Sequence, residues 1–279
     1  MKRPTKDHIN AYLAHLADEE KSAATLEKYR RDLLAFIAWL DGKPLDKTTV
    51  LAYKAHLVEH YAPASVNSML SALNSFFAYY DRYDLHVKTL KIQKPIFAPK
   101  EKVLSKAEYE RLLAAAKNAN NERLYLLMQT ICSTGIRVSE LRFITVETVR
   151  RGMARIRCKG KIRQVFLPDA LCVKLTAYIR KQKITSGAVF VSRTGKPLDR
   201  SNIWAMMKAL CTAAGVSQQK VFPHNLRHLF ARTYYSLQKD IVRLADILGH
   251  SSVDTTRIYT METGDVHRRQ LEKLDLLRC

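Results

Sequence analysis

Leu26, Tyr29, Leu33, Phe36, Ile37 and Leu40 recur at intervals of three and four residues. That spacing gathers them on one face of a helix, and such a stripe folds only by pressing against another apolar face. Asp41-Gly42 ends the run. A matching stripe of Val66, Met69, Leu70, Leu73, Phe76, Phe77 and Tyr80 follows, with a further helix predicted from Thr49 to about His60. The first ninety or so residues therefore read as a small helical domain. Lys21, Lys28, Arg30 and Arg31 fall off the stripe, where they either line a DNA backbone or sit in water.

The periodicity stops at IQKPIFAPKEKVL (92–104), whose two prolines and four charges read as a linker. At Ser105 a new helix opens, because Ser105 and Glu108 have the spacing of a capping box and Tyr109, Leu112 and Leu113 follow. Another helix is expected from Glu122 to Ser133, with Gly135 as its cap. MARIRC (153–158) and RQVFLP (163–168) flank KGKI as a hairpin, and AVFVS (188–192) reads as a third strand. The rest is helical. The fold class expected is mainly α with a small antiparallel β-sheet. Its domains are residues 1–91, a linker at 92–104 and a larger α+β domain at 105–279.

Lys and Arg number 47 against 26 Asp and Glu, a formal charge of +21, and a field of that sign attracts polyanions. Nucleic acid is the first candidate partner and an anionic membrane surface the second. No apolar run approaches the ~20 residues of a membrane span, and MKRPTKDHINAYLAHLADEE lacks the apolar core and cleavage site of a secretory signal. Cys132, Cys158, Cys172, Cys211 and Cys279 are odd in number and form no CxxC pair. They indicate neither a disulfide framework nor a thiolate zinc site, and a reducing cytoplasm fits.

PHNLRH (223–228) places Pro223 in the first turn of a helix and His224, Arg227 and His228 on one face. The two histidines could bind a metal, but position 225 is Asn where an HExxH site has Glu, and an arginine on the same face repels a cation. They could equally be satisfied, half-buried residues. A third reading makes the helix start and Arg227 a phosphate site. TGIRVSEL (134–141), CKGKIR (158–163) and LGHSSVDTTRIYT (248–260) accompany it. Taken singly, Arg137 with Glu140 is a surface ion pair, Lys159 a turn residue and Tyr259 a core tyrosine.

Together and in this order, TGIRVSEL, CKGKIR, HNLRH and LGHSSVDTTRIY resemble the catalytic domain of the tyrosine site-specific recombinases, the phage integrase and Xer-type group. The resemblance covers residues 105–270 strongly. SAATLEKYRRDLLAFIAWL resembles, more loosely, the family's SAM-like core-binding domain. It implies that Arg137 and Arg227 are the two family arginines, Lys159 the hairpin lysine, His224 and His250 the two histidines and Tyr259 the nucleophile. Glu140 matches the acidic residue that supports the first arginine. The implied reaction is strand cleavage and rejoining through a 3′-phosphotyrosine, with no cofactor, no ATP and no metal. The implied partner is double-stranded DNA carrying specific half-sites, bound by a homo-oligomer that forms a tetramer in the synaptic complex. A cytoplasmic, nucleoid-associated protein of a bacterium or mobile element is expected, without a membrane and without an added arm-site domain. The tail METGDVHRRQLEKLDLL resembles the helix that packs into a neighbouring subunit. Two rivals remain: type IB topoisomerase-like resealing, and a non-catalytic DNA-binding protein of the same fold.

Overall fold

The computed structural model describes residues 4–93, 100–158, 161–192, 194–250, 252–260, 268 and 271–273. The chain divides into two compact units, Met1–Lys94 and Pro95–Cys279. Among the described residues no helix is long and apolar enough to cross a membrane.

The first unit holds α1 (Lys6–Asp18), α2 (Ala23–Leu40), α3 (Lys47–His60) and α4 (Pro63–Tyr79). Local chemistry sets their ends. Thr5, Ser22 and Asp46 accept hydrogen bonds from the first-turn amides of α1, α2 and α3, and Pro63 opens α4. Asp41 turns α2 off in a left-handed conformation. Leu33, Phe36 and Leu40 of α2 meet Val66, Leu70, Leu73, Phe76 and Phe77 of α4, closed over by Tyr12 and Tyr53. The basic residues off the stripe divide. Lys28 pairs with buried Asp32 and donates to the Ser68 carbonyl at 3.3 Å, and Arg30 donates to Asn10 at 2.8 Å. Those two cations tie helices together, whereas the Arg31 side chain is 72% exposed and lies 3.6 Å from Asp32.

The second unit begins its helices with α5 (Lys106–Asn118) and α6 (Glu122–Thr134). Ser105 and Glu108 form the reciprocal capping box, and Gly135 caps α6 at a positive φ. A 3-10 turn (Val138–Phe143) leads to α7 (Val146–Arg151) and the antiparallel pair β1 (Met153–Cys158) and β2 (Lys161–Phe166). There follow α8 (Asp169–Lys181), α9 (Arg200–Ala209), α10 (Cys211–Ala214), α11 (Pro223–Gln238), α12 (Ile241–Leu248) and α13 (Val253–Thr260). Helix α6 runs through the centre, packed by α5, α8, α9 and α11. Its Leu124, Leu127, Met128 and Ile131 are wholly buried.

Two details depart from the sequence expectations. Cys158 pairs with Lys161, so β2 starts two residues earlier than expected. The AVFVS segment is not a strand. It makes single bridges, Thr145 to Ala188 and Val191 to Pro197, and buries Val189 and Phe190 in the core. Its flanks are a helix-bound segment and a tight turn, and neither is long enough to extend a ladder.

Candidate active site

Helix α6 ends in the left-handed Gly135 cap, and no larger residue fits there, because a Cβ would strike the Phe230 ring of α11 and approach Leu248 of α12 at 3.1 Å. Ile136, wholly buried, anchors the chain as it leaves the helix. Arg137 follows in extended conformation at the head of the 3-10 turn. Glu140 folds back to accept the Arg137 amide at 2.7 Å and its Nη1 at 3.0 Å. Glu140 is 2% exposed, so the pair is not the weak surface bridge that spacing alone allows.

Helix α11 supplies His224, Arg227 and His228. Arg227 is fully buried. Its Nη1 donates to the Gly135 carbonyl at 2.7 Å, and its Nη2 to the Leu248 carbonyl at 2.8 Å and to His250 Nε2 at 2.9 Å. Nε is buried without a partner. Among the described residues no carboxylate pairs with this guanidinium. Burial first, then the Arg137 charge, holds its pKa below the ordinary value. A buried, unpaired cation with a spare N–H is a site prepared for an anion.

His250 follows α12 and is fixed from both sides. Arginine only donates, so Nε2 accepts, and the neutral ring carries its proton on Nδ1, 2.7 Å from Thr256 Oγ1. Burial, then the charges of Arg227, Arg137 and Arg163, lower the His250 pKa to about 4. Tyr259 lies three residues beyond Thr256 on the same face of α13, and both are buried. The tyrosine ring stacks on His250 at 5.7 Å and meets His228 edge-on at 4.6 Å. Leu244, Leu248 and Ala231 share its buried cluster.

His228 also packs on His224 at 4.7 Å. Burial, then its histidine and arginine neighbours, lowers its pKa to about 3. The exposed His224 is held below the usual histidine value by the desolvating surroundings and then by Arg227, Arg137 and Arg200. Both rings are therefore neutral near pH 7. Asn225, between them in sequence, is buried and spends its amide on the Lys102 and Lys220 carbonyls at 2.9 and 2.7 Å. Among the described residues no group of three or more His, Cys, Asp and Glu side chains is arranged to hold a metal ion.

The fold thus brings Arg137, Glu140, His224, Arg227, His250 and Tyr259 into one connected cluster in the second unit. Lys159 lies outside the described residues. Two participants went unread in the sequence. Arg163 of β2 bonds Glu140 at 2.6 Å, and Thr256 orients His250. Arg163 left a signal, because two-residue alternation sets it on the face of Val165 and Leu167, where a charge needs a buried partner.

The family model described as "Phage integrase family" matches residues 102–264, and that described as "Phage integrase, N-terminal SAM-like domain" matches residues 9–82. The chain belongs to the phage integrase family. Among curated relatives, the tyrosine recombinase XerC of Roseiflexus castenholzii is 30% identical, the alignment covering 91% of this chain and 88% of the relative. The tyrosine recombinase XerD of Pseudomonas aeruginosa is 33% identical over 88% of this chain and 90% of its own. Among solved structures, a lambda integrase dimer bound to a COC′ core site shares the fold with a TM-score of 0.75 at 20% identity, covering 95% of this chain and 97% of that one. A lambda integrase tetramer bound to a Holliday junction scores 0.72 at 20% identity, covering 92% and 78%. The chain is mostly helical, with its two-stranded antiparallel sheet between Arg137 and Arg227 in sequence.

Proposed function

We propose that this protein is a site-specific tyrosine recombinase that breaks and rejoins DNA through a 3′-phosphotyrosine at Tyr259. The observation that carries the reading is buried Arg227, which among the described residues has no carboxylate partner and keeps an unspent Nε–H. A scissile phosphate supplies the missing charge. As the nucleophile adds, charge grows on the non-bridging oxygens, and Arg137 and Arg227 stabilise that state more than the ground state. Lowered pKa values keep the histidines neutral, so His224 is able to accept a proton. His250 hydrogen-bonds the phosphate once Arg227 turns to the anion. The Thr256 hydroxyl then donates to Nδ1 and leaves a proton on Nε2. Lys159 protonates the departing 5′-oxygen. The phosphotyrosine keeps the energy of the broken bond, so a 5′-hydroxyl of another strand reseals it without ATP, metal or cofactor.

Residues 1–91 act in this reading as the core-binding domain, 92–104 as a linker and 105–279 as the catalytic domain. The partner is duplex DNA with paired half-sites, held by a dimer that becomes a tetramer in synapsis, as lambda integrase is seen on its core site and Holliday junction. The working compartment is the cytoplasm, at the nucleoid or with a mobile element. The filled catalytic set favours an enzyme over a non-catalytic binder, and the Xer relatives favour strand exchange over simple resealing.

The test uses DNA sites selected by the protein, nicked so that cleavage traps the adduct. The wild type forms a covalent complex resistant to denaturation, and peptide mapping finds the nucleotide on Tyr259. Tyr259→Phe binds the same DNA and forms none. An adduct on another residue overturns the assignment, and an adduct without Holliday junctions favours the topoisomerase-like rival.

A further inference from the structure

Arg163 stands on the inward face of β2 with buried Val165 and Leu167. Its guanidinium forks. Nη2 donates to Glu140 Oε2 at 2.6 Å, and Nη1 donates to the main-chain oxygen of Ile247, near the end of α12. The Arg163 side chain is 13% exposed and Glu140 only 2%. The other oxygen of Glu140 holds Arg137. The Arg163 stem lies against Gly249, where a Cβ would fall within 2.5 Å of Cδ. Gly249 has a positive φ, caps α12 and immediately precedes His250. Three separate pieces of the site therefore converge on one side chain: the hairpin strand, the Arg137–Glu140 turn and the Gly249–His250 corner.

We propose that Arg163 is a positioning residue for the cleavage step, acting through Glu140 and the Ile247 carbonyl rather than on the phosphate. The inference rests on the recombinase reading above. One carboxylate facing one cation would bind Arg137 as a closed pair. Sharing Glu140 between two guanidinium groups leaves the cluster with net positive charge and Arg137 free to turn a donor to the phosphate. The same fork fixes the α12 terminus, and with it the Leu248 carbonyl and His250 that orient Arg227. Strand β2 also begins two residues after Lys159 in the chain, so Arg163 anchors the strand that follows this lysine in sequence. Lysine cannot replace the fork, because one ammonium lacks the planar pair of donors that spans both acceptors.

The experiment measures single-turnover adduct formation by Arg163→Ala and Arg163→Lys on nicked half-sites bearing either the normal phosphodiester or a methylphosphonate at the scissile position. The methylphosphonate lacks the negative non-bridging oxygen and so depends less on well-placed arginine charge. Both variants are expected to bind within about twofold of wild type and to cleave the phosphodiester about 10- to 100-fold more slowly, as a sub-ångström misplacement does. On the methylphosphonate the defect should shrink several-fold. A wild-type rate in either variant, a loss confined to binding, or an equal defect on both substrates overturns the proposal. The lysine variant keeps the stem against Gly249, so it carries the comparison if the alanine variant fails to melt in one transition. Tyr259→Phe runs beside them. If wild type forms no adduct, or Tyr259→Phe forms one, the recombinase reading fails and not the Arg163 inference alone.

Discussion

Acid should loosen this site before it touches the carboxylates. His228 and His250 have pKa values of about 3 and about 4 in the folded chain, against 6.5 for a free histidine. A histidine with a lowered folded pKa takes up its proton on unfolding. Its contribution to stability is fully present above 6.5 and is lost as the pH falls from 6.5 towards the folded value. Both residues are only partly exposed, so the effect is not screened away. Between pH 7.5 and 5.0 each loses about 1.5 units at ~1.36 kcal/mol per unit, roughly 2 kcal/mol. Together they cost about 3–4 kcal/mol, or roughly 10 °C in melting temperature for a unit of this size. The carboxylates with lowered pKa, Asp46, Asp84, Glu108 and Glu147, start from 3.8 or 4.5 and act below this window. The assay is urea unfolding followed by circular dichroism at pH 7.5 and 5.0, on wild type and on His228→Phe. The phenylalanine keeps a ring against Tyr259 and removes one titration, so about half of the pH loss should vanish. A wild type that loses under ~1 kcal/mol, or a variant that loses as much as wild type, refutes the reasoning.

Lys159→Ala should slow cleavage by roughly 10²–10⁴-fold on an ordinary substrate, and a bridging 5′-sulfur, whose thiolate leaves unprotonated, should restore it. Equal slowness on both substrates would make the lysine a phosphate binder. Gly135→Ala forces a Cβ onto the Phe230 ring at a positive φ, so the second unit should lose about 2–4 kcal/mol by urea unfolding, with adduct formation impaired through the Arg227 acceptor it displaces. Chelator should leave adduct formation unchanged, and activity lost in EDTA and restored by one divalent metal would revive the metal reading of His224 and His228. Truncation after Thr263 should spare half-site binding and weaken assembly on the full site by gel shift. The motivation is the Leu271, Leu274 and Leu277 spacing, of which only Leu271 is described, and it is exposed.

What the sequence made legible was local. The Ser105–Glu108 box, the Gly135 cap and the two stripes of the first unit each depend on residues three or four apart, and the structure has them all. Positions 188–192 misled because Val189, Phe190 and Val191 do not specify whether a partner strand passes alongside, and here only single bridges form. Lys28 and Arg30 were open to a DNA backbone or to water; Lys28 pairs with Asp32 one turn on and also reaches the Ser68 carbonyl 40 residues away, and the Arg30 partner Asn10 is 20 residues away. The candidate site divides in the same way. Arg137 with Glu140, and His224 with Arg227, sit one helical turn apart and could be paired by eye. The bond from Arg227 to the Gly135 carbonyl spans 92 residues, and that from Arg163 to the Ile247 carbonyl spans 84. No spacing rule reaches so far. Arg163 was nonetheless readable as an anomaly, a charge in phase with Val165 and Leu167.

In the proposed reading Tyr259 is the nucleophile, and its setting bears on how strand exchange would succeed. Tyr259 is 2% exposed, flanked by two neutral imidazoles and the side chains of Leu244 and Leu248. Water outnumbers any 5′-hydroxyl as a nucleophile, so a phosphotyrosine that must wait for an incoming strand survives only where water is kept out. The same dryness strengthens the attraction between Arg227 and a phosphate and raises the cost of leaving that arginine unpaired. The DNA-free chain bears this cost through three donated hydrogen bonds and the withheld protons of His228 and His250. A duplex that brings its phosphate to Arg227 relieves it. In that reading, binding of the correct site and completion of the catalytic constellation become the same event.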